Sequence, residues 1–316
     1  MVFKKAFFIF LRISISILLL IILFNQIQIK DMLKLLKNTK ILVLLFSFSI
    51  FLLSYFLCFL RWSMLLKAIS IRVSLSRLFV SFCAGVFFNL FLPSTIGGDL
   101  VRTLDLTTHT QKSKEVLATV ILDRLSGYIG LVSVAIIAVL WGLRLIKQRE
   151  VFILIGIMTL FLIALLLFLF NKTVYSKINN LFKDSNTGVK HYLKNLYEQI
   201  HSFKSYRKTI LANLLLSFLI QLLCSLTFYL LGVSLGIKIN FIYFFILIPI
   251  ISVITLIPVS MGGLGLREAS TLYFFNPLGL NKDVTFAIAL LNSGFGLIVS
   301  IAGGIIYVFG LHYRRI

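Results

Sequence analysis

Two short stretches of this chain share residues that could bind a charged ligand inside a membrane. The first runs from Pro93 to Arg102 and the second from Pro258 to Arg267, and both read Pro-x-(Ser/Thr)-x-Gly-Gly-x-x-x-Arg. Proline ends a helix because it lacks a backbone N–H and clashes with the preceding turn, and glycine allows backbone angles that other residues avoid. Each stretch follows a long apolar run. We therefore predict two helices broken at membrane depth, the arrangement that marks the binding site in transporters with repeated halves.

Several side chains in and around these stretches suit an anionic head-group. A Gly-Gly turn at the start of a half-helix would expose backbone N–H groups to an anion, and an arginine one turn later could hold a phosphate through two hydrogen bonds. Carboxylates at membrane depth are costly and mark function by default. The predicted substrate-binding residues are Asn89, Ser94, Thr95, Gly97, Gly98, Asp99, Arg102, Asp123, Arg124, Ser260, Gly262, Gly263, Arg267 and Glu268.

These charges also have a structural interpretation. Asp99 and Glu268 would complement the positive N-terminal ends of the outgoing half-helices. Asp123, with the arginine that follows it, would be an interfacial pair or the start of a helix. Asn292 and Ser293, in the last apolar run, would either complete a cavity or serve polar helix packing. Both interpretations are open at this point.

The composition predicts an all-α, polytopic membrane protein. The 316 residues are 59% hydrophobic and 13% charged, whereas soluble domains carry roughly a quarter charged residues. Uncharged runs occupy 41–60, 125–143, 151–170, 209–237, 239–266 and 284–311. Because about 20 apolar residues cross a bilayer as a helix, we predict about six to eight spans, counted with two broken or re-entrant hairpins.

The charge, cysteine and histidine content argue against a nucleic-acid-binding protein, a metalloprotein and a nucleotide-binding protein. The net charge of +21 is attributed mainly to basic cytoplasmic loops, with some attraction to anionic lipid. No basic soluble module is present, so we predict no nucleic-acid partner. The three cysteines lie in apolar runs, the four histidines form no HExxH-type pair, and no nucleotide-binding loop occurs. Neither a metal nor a cofactor is predicted.

The apolar runs also predict the order of helices. A first helix over 6–25 is expected to be retained, since the run is too long for a signal-peptide core. An amphipathic piece, 26–40, follows, and a helix over 41–60 is expected to end at an interfacial anchor formed by Arg61 and Trp62. Further helices are predicted over 75–92, 98–108, 119–143, 151–170, 209–235, 241–257 and 284–311.

This order predicts a single membrane domain, 1–316, in the cell membrane with both termini in the cytoplasm. Its repeat-like halves, 1–170 and 209–316, would form an inverted repeat. The segment 172–208 joins them; it is rich in Lys and Arg and carries apolar residues at helical spacing. We expect it to be cytoplasmic and to lie on the inner leaflet.

Three groups of residues together resemble a known family. They are Asn89-x3-Pro93-x3-Gly97-Gly98-Asp99-x2-Arg102, Asp123-Arg124-x2-Gly127 and Pro258-x3-Gly262-Gly263-x-Gly265-x-Arg267-Glu268. In this combination they are similar, over nearly the whole chain, to the flippase-like membrane domain of lysylphosphatidylglycerol synthase, the multiple peptide resistance factor. The resemblance implies transport of a lipid between leaflets and a link to antibiotic resistance. The full-length synthase carries a soluble aminoacyl-transferase domain after its membrane part, and this sequence ends at Ile316, so we expect no aminoacyl transfer from tRNA.

We therefore expect an integral membrane lipid flippase or transporter. Its partners would be membrane lipids, either anionic, such as an aminoacylated phosphatidylglycerol, or polyprenyl-linked. One alternative is a membrane enzyme acting on a lipid phosphate or polyprenyl substrate, with Asp99, Asp123 and Glu268 as acid/base groups or metal ligands. Another is a membrane subunit that serves a separate synthase or glycosyltransferase in phosphatidylglycerol aminoacylation or lipid-linked glycan synthesis.

Overall fold

The computed structural model describes residues 34–92, 95–146, 148–171 and 189–312, together with single positions at 14, 18 and 21–23. Within them the protein is all-helical, which confirms the predicted fold class. Most of the helix predicted over 6–25 and most of the amphipathic piece 26–40 lie outside the described residues.

Ten α-helices of ten residues or more are bounded in this part of the chain. They are α1 (Ile41–Ala68), α2 (Leu75–Phe91), α3 (Thr95–Thr110), α4 (Ser113–Gly142), α5 (Arg149–Phe170), α6 (Val189–Ser202), α7 (Arg207–Ser234), α8 (Phe241–Leu256), α9 (Leu266–Phe275) and α10 (Lys282–His312). Among the described residues, α1, α4, α5, α7 and α10 are long and apolar enough to cross a membrane, and α2 and α8 are shorter apolar helices.

The helix α1 continues well past its predicted end, and the prediction of an interfacial anchor at Arg61 and Trp62 is wrong. Arg61 is only 7% exposed, and Trp62 is fully buried. Arg61 Nε donates to Asp123 Oδ1 at 2.8 Å, and Trp62 Nε1 donates to Thr119 Oγ1 at 3.2 Å. Because a buried cation and a buried indole N–H each need a polar partner, these contacts with α4 hold both side chains inside the protein.

The chain divides into two compact units. The first contains Met1–Tyr55, Phe79–Arg102 and Leu222–Ile316, and the second contains Phe56–Leu78 and Thr103–Gln221. Both broken stretches predicted from the sequence fall in the first unit. The repeat-like halves stay a prediction.

Within the first unit, α10 packs closely against α2 at two adjacent glycines. A Cβ atom on Gly303 would lie 3.0 Å from the carbonyl oxygen of Cys83, and one on Gly304 would lie 2.4 Å from the ring of Phe87. Small residues of this kind allow helix backbones to approach in lipid, where packing replaces the hydrophobic effect as the force between helices. This contact holds α2 against α10. The first break follows directly after α2.

Within the second unit, α4 lies against both α5 and α7. The hydroxyl of Tyr128 donates to the carbonyl oxygen of Met158 on α5 at 3.1 Å. At Gly130 the backbone of α7 is so close that a Cβ atom would lie 2.6 Å from the carbonyl carbon of Ser217. The position therefore requires glycine because of the close approach.

The predicted amphipathic segment 172–208 contains α6, and residues 172–188 lie outside the described residues. Tyr197 and Ile200 on the apolar face of α6 are buried. The Tyr197 hydroxyl donates to the carbonyl oxygen of Phe168 on α5 at 2.8 Å. This part of the apolar face therefore packs against protein in the second unit and is not available to a membrane surface.

We expect Gly130→Ala to lower the free energy of unfolding by about 1–3 kcal/mol, the usual cost of overpacking, because the added methyl group would meet the backbone of α7. Tryptophan fluorescence during thermal unfolding in detergent measures the change. Gly156→Ala in α5 is the matched control, since a Cβ atom there meets nothing within 4 Å in the described structure. Equal losses of stability in the two variants would contradict the close approach.

Candidate functional site

The first broken stretch separates α2 from α3, and a side chain of α2 bonds across it. Asn89 Oδ1 accepts a hydrogen bond from the N–H of Gly98 at 3.0 Å. This bond ties the first turn of α3 to the end of α2 across the break. Residue 98 must be glycine, because a Cβ atom would lie 2.0 Å from the carbonyl oxygen of Gly85.

The arginine of the first stretch is neutralised within its own helix. Arg102 Nη2 lies 3.0 Å from Asp99 Oδ1, one turn away on α3. Both residues are buried, with 5% and 7% of their surface exposed. Gly85 on α2 leaves room for the arginine, since a Cβ atom there would lie 3.3 Å from its side chain. A buried guanidinium with a carboxylate beside it is compensated and is costly to separate from its partner.

Three glycines form the second broken stretch, between α8 and α9. The φ angle is 58° at Gly262, 80° at Gly263 and 81° at Gly265, in the left-handed region that residues with a Cβ atom adopt at a cost. After this turn α9 begins at Leu266. Glu268 Oε2 accepts a hydrogen bond from the N–H of Gly265 at 2.6 Å. The carboxylate thus caps its own helix and complements the positive end of the helix dipole.

The second oxygen of the same carboxylate joins α9 to α10. Glu268 is fully buried, and Ser293 Oγ–H donates to Glu268 Oε1 at 2.6 Å. The serine oxygen also accepts a hydrogen bond from Arg267 Nη1 at 3.2 Å. One hydroxyl can donate and accept at once, so a continuous chain of hydrogen bonds runs from the arginine to the carboxylate. Asn292, its neighbour on α10, is buried as well.

The two broken stretches approach each other within the first unit. A Cβ atom on Gly262 would lie 3.5 Å from the backbone carbonyl oxygen of Asn89, the residue that bonds across the first break. A Cβ atom on Gly263 would lie 3.5 Å from Arg267 Nη2. The glycine turn of the second stretch therefore lies between the end of α2 and the second arginine.

The two arginines differ in how their charge is compensated. Arg102 is paired with Asp99, whereas Arg267 bonds to the neutral hydroxyl of Ser293. Among the described residues, no carboxylate oxygen lies within ion-pair distance of Arg267, and its side chain is only partly buried. Arg267 is therefore the cation of this site that could attract an anionic group without first breaking an ion pair.

Two backbone N–H groups at these breaks are already bonded to side chains of the protein. The N–H of Gly98 is bonded to Asn89, and the N–H of Gly265 is bonded to Glu268. The structural interpretation of Glu268 is thus correct in part, since its carboxylate does complement a helix N-terminus.

The remaining predicted residues of the two stretches differ in their surroundings. Ser260 is 3% exposed, and its Oγ has no hydrogen-bond partner in the described part of the chain. Gly97 lies against Leu92, since a Cβ atom there would be 2.4 Å from the leucine side chain. Ser94 and the side chain of Thr95 lie outside the described residues.

Asp123 and Arg124 belong to the second unit, and only the acid is buried. Asp123 is 4% exposed and pairs with Arg61. Arg61 Nη1 also donates to Ser217 Oγ at 3.1 Å, and Asn213 Nδ2 donates to the Arg61 carbonyl oxygen at 3.0 Å. Arg124 is exposed. The acid is therefore half of a buried ion pair that joins α1, α4 and α7.

Two buried arginines were absent from the predicted set. Arg61 is one, and Arg77 is the other; its Nη2 donates to Asp105 Oδ1 at 2.9 Å, and both side chains are 8% exposed. The sequence did carry a signal, because a charge next to a long uncharged run needs a partner inside the protein. It could not identify that partner, which for Arg61 lies 62 positions away.

We expect Arg61→Met to lower the free energy of unfolding by about 3–5 kcal/mol, because it leaves the carboxylate of Asp123 buried without its cation. The double variant Arg61→Met/Asp123→Leu removes both charges and should recover most of that loss. Thermal unfolding in detergent measures both, with the exposed Arg144→Met as control. A double variant as unstable as the single one would show that the ion pair is not the source of the effect.

The site can now be compared with known proteins. The family described as "Lysylphosphatidylglycerol synthase TM region" matches residues 9–304. A UPF0104 membrane protein of Pyrococcus horikoshii is 25% identical over 309 residues, which cover 90% of this chain and 91% of that protein. A UPF0104 membrane protein of Methanothermobacter thermautotrophicus is 26% identical over 250 residues, 72% of this chain and 73% of its own length. The match over nearly the whole sequence shows that the chain belongs to the family of lysylphosphatidylglycerol synthase transmembrane regions.

Proposed function

We propose that this protein is a lipid transporter of the cell membrane, which moves a phosphate-bearing lipid between leaflets and holds the head-group at Arg267. The observation that carries the proposal is the charge of Arg267, which no carboxylate among the described residues neutralises. A partly buried cation in an apolar helical domain attracts an anion strongly because little water screens it. The planar guanidinium fits a phosphate through two parallel hydrogen bonds.

Neighbouring polar groups support a ligand at the same place. Ser260 belongs to the same glycine-rich stretch, and its buried hydroxyl has no partner among the described residues. Buried polar groups are nearly always satisfied, so such a group suggests an unseen partner. A head-group with hydroxyl, phosphate or amine atoms would supply one.

The outer face of α10 suits the acyl chains of the same lipid. Leu297, Ile301 and Ile305 follow Ser293 at four-residue spacing, which places them on one face of the helix. All three are exposed, by 44%, 47% and 53%. A lipid could therefore keep its chains on this apolar stripe while its head-group reaches the polar site at Ser293 and Arg267.

We propose a phosphate-bearing lipid as the class of substrate. An anionic or aminoacylated phosphatidylglycerol and a polyprenyl-linked phosphate share the phosphate that Arg267 would bind, and a separate synthase or glycosyltransferase would supply the lipid. Alternating access of the site to the two leaflets, with both termini in the cytoplasm, would be driven by a gradient or by downhill exchange. No catalytic step is needed for this role.

We expect Arg267→Gln to slow lipid translocation about ten- to a hundred-fold, the kinetic equivalent of losing a charge-assisted hydrogen bond. Vesicles containing the purified chain and fluorescent phosphatidylglycerol are exposed to dithionite, which quenches only the outer leaflet, so the protected fraction reports the translocation rate. Arg267→Lys keeps the positive charge but cannot form two parallel hydrogen bonds to a phosphate. Its translocation rate should therefore lie between those of Arg267→Gln and the wild type.

The exposed Arg149→Gln is the matched control, since it removes the same charge at the start of α5. Wild-type rates in Arg267→Gln, in protein that unfolds at the wild-type temperature, would reject Arg267 as the head-group ligand. Mass spectrometry of the vesicle lipids after the assay separates transport from chemistry, because an enzyme would leave a covalently changed lipid and a transporter would not.

A further inference from the structure

A second polar site lies in the loop that joins α1 to α2, within the second unit. The loop borders an open surface cavity of about 470 Å³ lined by Lys67, Ser70, Ile71, Arg72, Val73 and Ser74. Two of these residues are cations, two carry hydroxyl groups, and none is an acid. Both cations are exposed to the surroundings, so the cavity presents positive charge and hydroxyl groups together.

The loop has a fixed shape that keeps the two cations in place. Ser70 adopts a φ of 57°, and its N–H donates to the Lys67 carbonyl oxygen at 3.1 Å. The N–H of Ile71 donates to the Leu66 carbonyl oxygen at 3.1 Å, and both of these side chains are buried. This is the hydrogen-bond pattern of a Schellman motif with its usual apolar contact. The cavity is therefore a folded feature and not only a run of basic residues.

The start of α2 adds positive potential to the same loop. Ser74 precedes the first helical residue, and its Oγ accepts a hydrogen bond from the N–H of Arg77 at 3.4 Å. Backbone N–H groups and the helix dipole make such a terminus attractive to an anion. Arg77 lies in this first turn and is 8% exposed. Its Nη2 bonds to Asp105, but its Nε and Nη1 are buried donors without a hydrogen-bond partner in the described part of the chain.

The membrane places this loop among lipid head-groups. The helix α1 has 28 residues, which makes it about 42 Å long, whereas the hydrocarbon core is only about 30 Å thick. Lys67, in its last turn, therefore reaches the head-group layer. Leu75, which follows the lining residue Ser74 in the chain, is an apolar side chain that is 53% exposed. Basic pockets at membrane-helix ends are known sites for anionic head-groups.

We infer that this cavity binds the phosphate of an anionic phospholipid of the leaflet at which the loop lies, as a resident lipid distinct from any transported one. Lys67 and Arg72 supply the charge, Ser70 and Ser74 supply hydroxyl donors, and the acyl chains leave past Leu75. The inference does not depend on the proposed transport, since a bound lipid of this kind would be retained by a protein that transports nothing.

The test measures which lipids stay bound to the purified full chain. The protein is extracted gently from bilayers of equal parts phosphatidylcholine and phosphatidylglycerol, and native mass spectrometry counts the retained lipids over a phosphatidylglycerol titration. We expect Lys67→Ala/Arg72→Ala to bind phosphatidylglycerol about thirty-fold more weakly than wild type, from the loss of two surface charges. Lys67→Arg/Arg72→Lys exchanges the two residues but keeps the charges, and should bind nearly as wild type.

Two further measurements distinguish lipid binding in the cavity from a general attraction between basic loops and anionic lipid. Lys112→Ala/Arg144→Ala removes one Lys and one Arg at other exposed loop positions, and should leave the retained lipid unchanged. Inorganic phosphate should displace phosphatidylglycerol more strongly than chloride at the same ionic strength, because it competes for the same groups. Equal loss in the two double-alanine variants, or equal displacement by both salts, would overturn the inference. So would wild-type retention after Lys67→Ala/Arg72→Ala.

Discussion

Each interruption of a membrane helix leaves backbone donors without partners, and in lipid no water can satisfy them. In the first unit the protein meets this constraint with side chains from nearby turns. Asn89 bonds to the N–H of Gly98 across the first break, and Glu268 bonds to the N–H of Gly265 at the second. Both acceptors are rigidly held, one by the close packing of α2 at Gly98 and the other by Ser293 on α10. The glycine turns, the buried carboxylate and the position of Arg267 all follow from closing these two breaks.

The same sequence pattern nevertheless leads to different electrostatics at the two breaks. In the first, the acid follows the glycine pair directly, so Asp99 lies one turn before Arg102 and pairs with it. In the second, the acid follows the arginine, so Glu268 points to the helix end and leaves Arg267 with a neutral hydroxyl. The position of the carboxylate relative to the arginine thus differs between the two stretches. It decides whether the arginine is neutralised by an acid or keeps an available positive charge.

Sequence predicted the features that depend on local chemistry. The helices followed from hydropathy, and the breaks followed from proline and glycine, because both depend on residues close together in the chain. The partners of buried charges could not be predicted in this way. Arg61 was expected at the interface beside Trp62, since an aromatic residue next to a cation is common there. Whether such a pair faces lipid or protein depends on which distant helix packs against it, here α4 with Asp123 and Thr119.

The contacts within the first unit also bear on how a transporter of this kind could move. A rocking motion of the predicted halves 1–170 and 209–316 would separate α2 from α10, where Gly303 and Gly304 lie against the backbone of Cys83 and the ring of Phe87. Such tight contacts have no slack, because a separation of even one ångström forfeits much of their dispersion energy. It follows that α2 and α10 would move as one body in such a transporter, and that the predicted halves would not rock apart at this contact.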